Sequence, residues 1–454
     1  MDREPSPANE HGFDRAALRV VLLSSLGGAL EFYDFIVFGT FAAYISKAFF
    51  PTSDPLVSLL LTFTLFVVGY LARPIGGLVF GARGDRSGRR GSFLLSLATM
   101  SAATIAMGLV PSYATGGIMA TFAFVALRIV QGFCLGGELP GAITYAVEVV
   151  PLKRSTLACG VVFGCVSSGV LLATGISALL HTVLTAEAME SYGWRIGFFV
   201  GGALGVVSWM LRRTLEESPA FLEMRKLSSP AERAPVAELF AGYRQRILLG
   251  ILSLGVVGAF NGLLFGHMPA YLTRTLGYPP PEVATALNVA AGVTAVSLVV
   301  ATWIGDMIPR RLVLRFGCAV IALGALPTYA ALVGHTMPLV PLFFLIGLSA
   351  CFTHGTFAAI LADLFPTAVR FSGVAFALNV GAVVFSGLGL LLSTWLIGAT
   401  GRLDAPGFFL AASAALAFLS SFWLKGYEGE IGKRPSPPSA RSEVGRLASA
   451  PAEG

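Results

Sequence analysis

Four ionisable side chains stand in stretches of this sequence that are otherwise apolar. They are Glu31 and Asp34 in GALEFYDFIVFG, Arg73 in VVGYLARPIGG and Arg128 in FVALRIVQGF. A charge at mid-bilayer costs several kcal/mol, about 2.5–3.5 for Asp, Lys or Arg on insertion scales, and persists where it pairs or faces a water-filled cavity. Glu31 and Asp34 are three apart and so share a helical face. Arg128, Gln131, Leu135 and Glu138 fall within roughly 80° of arc at 3.6 residues per turn. Arg73 precedes a charged loop by about ten residues, which is ~15 Å of helix and half of a ~30 Å hydrocarbon core. A guanidinium there is a permanently charged, planar fork that suits a carboxylate. A buried carboxylate holds its proton more tightly through burial and less tightly beside an Arg, so an anion arriving at that Arg changes its protonation. The expectation is that Arg73 and Arg128 receive an anionic substrate while Asp34, with Glu31, takes up a proton. The alternative is a permanent ion pair that only joins helices.

Weaker candidates complete the set. Glu138 reads either as a proton relay or as a packing group beside Gly136 and Gly137. His267 and His354 can shuttle protons near neutral pH or simply pack. Asn261 and Asn379 can hydrogen-bond a substrate or bond across helices. Tyr33 can orient Asp34 or belong to the core.

These groups need a membrane scaffold. Of 454 residues, 55% are hydrophobic and 12% charged, against about 25% charged in soluble domains. Mean hydropathy is +0.77. Apolar runs predict twelve helices, at about 18–46, 56–82, 92–110, 116–148, 156–184 and 194–213, then 246–273, 282–304, 312–333, 338–364, 372–399 and 406–425. The fold class expected is an all-α membrane protein of two six-helix bundles, residues 18–213 and 246–425. A central cytoplasmic loop (214–245) joins them, with a polar N-terminal tail (1–17) and a Pro- and Ser-rich, disordered tail (426–454). With that topology 25 of the 31 Lys and Arg fall on the cytoplasmic side. Lys47, Arg195, Arg274 and Arg402 face the other way, and Arg73 and Arg128 are left inside spans. Both termini are therefore expected in the cytoplasm and the chain in the bacterial inner membrane. The net charge of +6 is this topological signal and does not point to nucleic acid. The five Cys form no CxxC pair, and HExxH, GxSxG and P-loop patterns are absent, so no cofactor, metal or enzymatic activity is expected.

The two halves carry matching punctuation. Gly84-Asp85-Arg86-Ser87-Gly88-Arg89-Arg90 follows the second helix, and Gly305-Asp306-Met307-Ile308-Pro309-Arg310-Arg311 follows the eighth, 221 positions later. Glu148-Val149-Val150-Pro151 closes the fourth helix and Asp363-Leu364-Phe365-Pro366, with Arg370 beyond, closes the tenth, 215 positions later. Six plus six helices related by a repeat suit a transporter that rocks around a midplane site. The loop motifs read as gates. Asp85 can meet an adjacent helix N-terminus, where the dipole favours negative charge. Arg86, Arg89 and Arg90 can bridge to Glu148 or Asp363. Arg89 and Arg90 can also be plain positive-inside anchors.

The loop from Gly81 to Arg90 resembles the signature of the major facilitator superfamily. Glu31–Phe35 (EFYDF), Arg73–Gly77 (RPIGG), Arg128–Glu138 (RIVQGFCLGGE), Glu217–Phe221 (ESPAF) and Phe365–Arg370 (FPTAVR) are similar to its metabolite–proton symporters. Phe32 departs from the family's usual Trp, Gly28 from Asn and Cys134 from Ser. The resemblance implies proton-driven import of a small organic acid of the citrate or oxoglutarate kind by a monomer. The alternative it leaves is a zwitterion of the proline or betaine kind. A drug antiporter would bring a Gly-Pro kink to the fifth helix, where Gly164 is followed by Cys165.

Overall fold

A computed structural model describes residues 15–51, 55–227 and 235–424. Within them twelve principal helices follow one another. The first six are α1 (Arg15–Thr40), α2 (Pro55–Ser87), α3 (Arg89–Leu109), α4 (Tyr113–Val149), α5 (Leu152–Val183) and α6 (Ala186–Arg212). The second six are α7 (Arg244–Thr275), α8 (Pro280–Gly305), α9 (Arg310–Val333), α10 (Leu339–Asp363), α11 (Arg370–Thr400) and α12 (Ala405–Ser420). Ten of them, all but α2 and α12, are long and apolar enough to cross a membrane. The expected first span stops early, at Thr40, because the backbone leaves the helix at Phe41 and restarts as Ala42–Phe49. The expected tails lie outside the described residues except for 15–17, which begin α1. So does the stretch 228–234 with Arg233, between the short helices Pro219–Leu227 and Pro235–Gly242.

The burial pattern is that of a bundle in lipid. Large apolar side chains such as Leu71, Ile75, Phe122, Val183, Val296, Leu323 and Trp395 face outward. Charged and polar groups, including Glu31, Asp34, Arg73, Asp85 and Arg128, are buried. Lipid tails are as apolar as Leu, so helices associate through close packing and internal hydrogen bonds. Glycine supplies the closeness between α2 and α4: a Cβ on Gly132 would stand 2.3 Å from the Gly69 carbonyl oxygen, and one on Gly136 only 2.1 Å from that of Arg73. This backbone contact packs together the two helices that carry Arg73 and Arg128. Between the first and last six helices, α2 and α4 pack on α11, and α5 packs on α8 and α10.

Candidate functional site

A small cleft opens among α1, α2 and α4, lined by Glu31, Phe32, Phe35, Gly69, Tyr70, Arg73, Arg128, Gly132 and Leu135. The Arg73 guanidinium is ion-paired with Glu31 and donates from Nε to Asn379 Oδ1 at 3.2 Å. It lies 5.2 Å from the centre of the Tyr70 ring. Oε2 of Glu31 has no hydrogen-bond partner among the described residues. Arg128 stacks 4.1 Å over Phe38 and donates to Gln131 Oε1 at 2.5 Å.

Behind this wall sits Asp34, 3% exposed. Its Oδ2 accepts from Gln131 Nε2 at 2.9 Å and from Thr104 Oγ1 at 3.0 Å. The Gln131 amide therefore stands between Arg128 and Asp34, its oxygen on the cation and its NH2 on the anion. Glu31 and Asp34 share a helix face as spacing requires, yet each has its own partners: Glu31 reaches α2 and Asp34 reaches α3 and α4.

Several expected site residues are placed elsewhere. Tyr33 turns to α6, where its hydroxyl donates to the Gly197 carbonyl at 3.0 Å, so it neither lines the cleft nor holds Asp34. Glu138 is ion-paired with Arg212 and accepts from Ser96 at 2.9 Å. Arg212 also donates to the carbonyls of Leu23, at 2.9 Å, and Ser24, at 2.5 Å. This cluster joins α1, α3, α4 and α6, and it favours the packing reading of Glu138. Arg212, counted in sequence among loop cations, is fully buried at the end of α6. His354 Nε2 meets Asn261 Oδ1 at 3.2 Å, and its Nδ1 meets the Ala350 carbonyl at 3.0 Å. These two residues pair within the last six helices and do not line the cleft. His267 stacks on Tyr271 with ring centres 5.1 Å apart. Asn379 reaches the site through Arg73 and is itself fully buried. Phe32, Phe35 and Tyr70, which sequence reasoning did not assign to the site, form much of the cleft wall.

The loop motifs tie the first and last six helices together. Asp85, at the end of α2, accepts from the backbone N–H groups of Phe371 and Ser372, at 3.1 and 2.8 Å, and from Ser372 Oγ at 2.6 Å. That is the N-terminus of α11, where four backbone donors lack helical partners and the dipole favours an anion. Gly84 leaves room for Phe371, whose ring would lie 2.3 Å from a Cβ at that position. Arg89 is buried and binds Asp85 at 2.7 Å, both oxygens of Glu148 and the Thr367 carbonyl, so it is not a plain anchor. Arg370 reaches Glu148 at 2.9 Å. Arg86 and Arg90 are exposed, and Arg90 donates to the Arg213 carbonyl at 2.7 Å.

The second loop repeats the first. Asp306 accepts from the backbone N–H groups of Thr156 and Leu157 in the first turns of α5, at 3.1 and 3.3 Å. Arg310 takes the part of Arg89, donating to Ser155 Oγ at 2.5 Å, Thr156 Oγ1 at 3.1 Å and Asp363 at 3.5 Å. Burial holds the Asp306 carboxyl above its ordinary value of 3.8; the two amide donors and Arg310 pull the other way.

Residues 24–385 match the model of the Major Facilitator Superfamily. The chain is 32% identical over 429 residues to the proline/betaine transporter of Salmonella typhimurium, covering 92% of this chain and 84% of that one. It is 31% identical to the glycine betaine/proline/ectoine/pipecolic acid transporter OusA of Dickeya dadantii, covering 90% of this chain and 83% of that one. Its fold is similar to the proton:xylose symporter XylE bound to 6-bromo-6-deoxy-D-glucose, with a TM-score of 0.76 and 18% identity over 90% of this chain and 95% of that one. Its apolar helices and these bacterial relatives make it a multi-pass protein of the bacterial inner membrane. The chain belongs to the Major Facilitator Superfamily.

Proposed function

We propose that this protein is a proton-coupled symporter importing a small zwitterionic solute of the proline or betaine class by alternating access. The relatives' names favour this alternative over the di- or tricarboxylate reading that the two buried Arg first suggested. The observation that carries the mechanism is the Arg128–Gln131–Asp34 bridge. A substrate carboxylate binding Arg128 from the cleft competes with Gln131 Oε1 for the guanidinium. Once released, the Gln131 amide turns and withdraws its N–H from Asp34. A buried carboxylate short of a donor is costly, and a proton replaces what was lost. Substrate arrival and proton uptake then occur together. Arg73, held by Glu31 and Asn379, supplies the second positive group.

In this reading all twelve helices span the membrane, both termini are cytoplasmic and the units 18–213 and 246–425 rock about the cleft as a monomer. The Asp85–Ser372 and Asp306–Thr156 contacts, with Arg89, Arg310, Glu148, Asp363 and Arg370, form the cytoplasmic latch. The latch breaks when the site turns inward. The experiment is uptake of labelled betaine, proline, citrate and oxoglutarate into proteoliposomes with an inward proton gradient. Zwitterion uptake that collapses with a protonophore is expected. Uptake of the acids alone would overturn the substrate class, and gradient-independent equilibration would overturn the coupling.

A further inference from the structure

The cleft is chemically polarised. Arg73 and Arg128 supply its cationic side chains, Glu31 its single carboxylate, and Phe32, Phe35 and Tyr70 its three rings, with Leu135 and two glycines completing the wall. The Phe35 ring lies 6.1 Å from that of Phe32, tilted by 34°, and 6.0 Å from that of Tyr70, nearly perpendicular at 83°. Three rings thus make an angled corner instead of a flat stack. Phe35 stands one turn from Glu31 on the same face of α1 and Phe32 is Glu31's direct neighbour, so one turn of helix holds the corner beside the carboxylate.

A dianion has no use for such a wall, because the faces of aromatic rings carry negative potential and Glu31 adds a negative charge. A cation does. A quaternary ammonium has no N–H to donate, so hydrogen bonds do not recognise it; its polarised methyl groups are held by the electron-rich faces of aromatic rings. We propose that Phe32, Phe35 and Tyr70 form the subsite for the methylated cationic end of the substrate, while the arginines hold its carboxylate. Tyr70 serves both ends, because the Arg73 guanidinium already lies over its ring. Glu31 balances the charge and offers an acceptor to ammonium groups that retain an N–H. This assignment rests on the zwitterion reading and names the residues that give it specificity.

The test uses full-length protein in proteoliposomes and a methylation series: glycine, sarcosine, dimethylglycine and glycine betaine, with proline alongside. Each competes against labelled substrate. Wild-type preference is expected to rise with each methyl group. Phe35→Leu keeps much of the volume but removes the ring, and it should lower the betaine-to-proline preference about ten-fold, between the exposed and the desolvated limits of a cation–π contact. Phe35→Trp, which keeps an aromatic face, should retain the order of the series and serves as the folding control. An unchanged series in Phe35→Leu, or equal losses for Leu and Trp, would overturn the subsite while leaving the zwitterion reading intact. Wild-type protein that transports dicarboxylates but no member of the series would remove both.

Discussion

Asn379 on α11 accepts from Arg73 Nε at 3.2 Å while its amide donates to the Gly136 carbonyl on α4 at 2.7 Å. One side chain of the last six helices is thereby bound to two helices of the first six, at the depth of the cleft. The fit is close: a Cβ on Gly77 would lie 2.6 Å from Asn379 Nδ2. The charge to which the proposed mechanism assigns the substrate is therefore tied directly to the last six helices.

Asn379→Ala frees Arg73 and the Gly136 carbonyl from that tie. Transport is expected to fall about ten-fold with substrate affinity changed less than about three-fold, because the lost contact belongs to conformational coupling more than to ground-state binding. Asn379→Asp places an anion opposite Arg73 and should weaken binding of carboxylate substrates. Tracer uptake and equilibrium binding on the same preparations separate the two effects.

Asp85→Asn keeps one acceptor for the α11 N-terminus but loses the charge and turns an NH2 toward backbone donors. Caps of this kind are worth about 0.5–2 kcal/mol. The variant should impair net transport with little loss of substrate binding, since Asp85 is remote from the cleft wall. A double-label distance between the loops after α2 and α10 should widen. Unaltered transport would show that the contact is only an anchor.

The Glu138–Arg212 pair is fully buried, and removing one partner of such a pair costs about 3–5 kcal/mol. Arg212→Met and Glu138→Gln should each lower the melting temperature in detergent. The double variant should recover much of the loss, because no buried charge is left alone. A double variant as unstable as the sum of the two would show that the two side chains act independently and that the pair is not coupled.

The folded state holds the Asp306 carboxyl above its ordinary 3.8. Such a group contributes stability that is fully present below the unfolded pKa and is lost as pH rises through the folded value. Asp306→Asn should therefore flatten this part of the pH–stability profile. Chemical denaturation across mildly acidic to neutral pH measures the difference.

Helix positions were legible because apolar runs ended at Pro, Gly and charge clusters; the loop repeat paired Asp85 with Asp306, and the helix-N-terminus contact was expected for Asp85 alone. The partner of Glu138 was not legible. Arg212 sits where a helix meets a charged stretch, and only tertiary packing decides whether such a residue turns to solvent or back into the bundle. Tyr33 misled for a related reason: adjacency to Asp34 in sequence puts it about 100° around the helix, facing α6. The aromatic wall escaped notice because Phe32 and Phe35 look like any lipid-facing pair until α2 brings Tyr70 beside them. The two Arg suit an anionic group, but a carboxylate on a zwitterion and one on a diacid read alike in sequence.

The central claim, that Asp34 exchanges a proton when substrate engages Arg128 through Gln131, is tested most directly by proton movement itself. Proteoliposomes loaded with a pH indicator and given external betaine should acidify inside with wild-type protein. Asp34→Asn should abolish the acidification yet retain betaine counterflow, since exchange of bound substrate needs no net proton transfer. Substrate-driven acidification that survives Asp34→Asn would contradict the account and move the proton to another group.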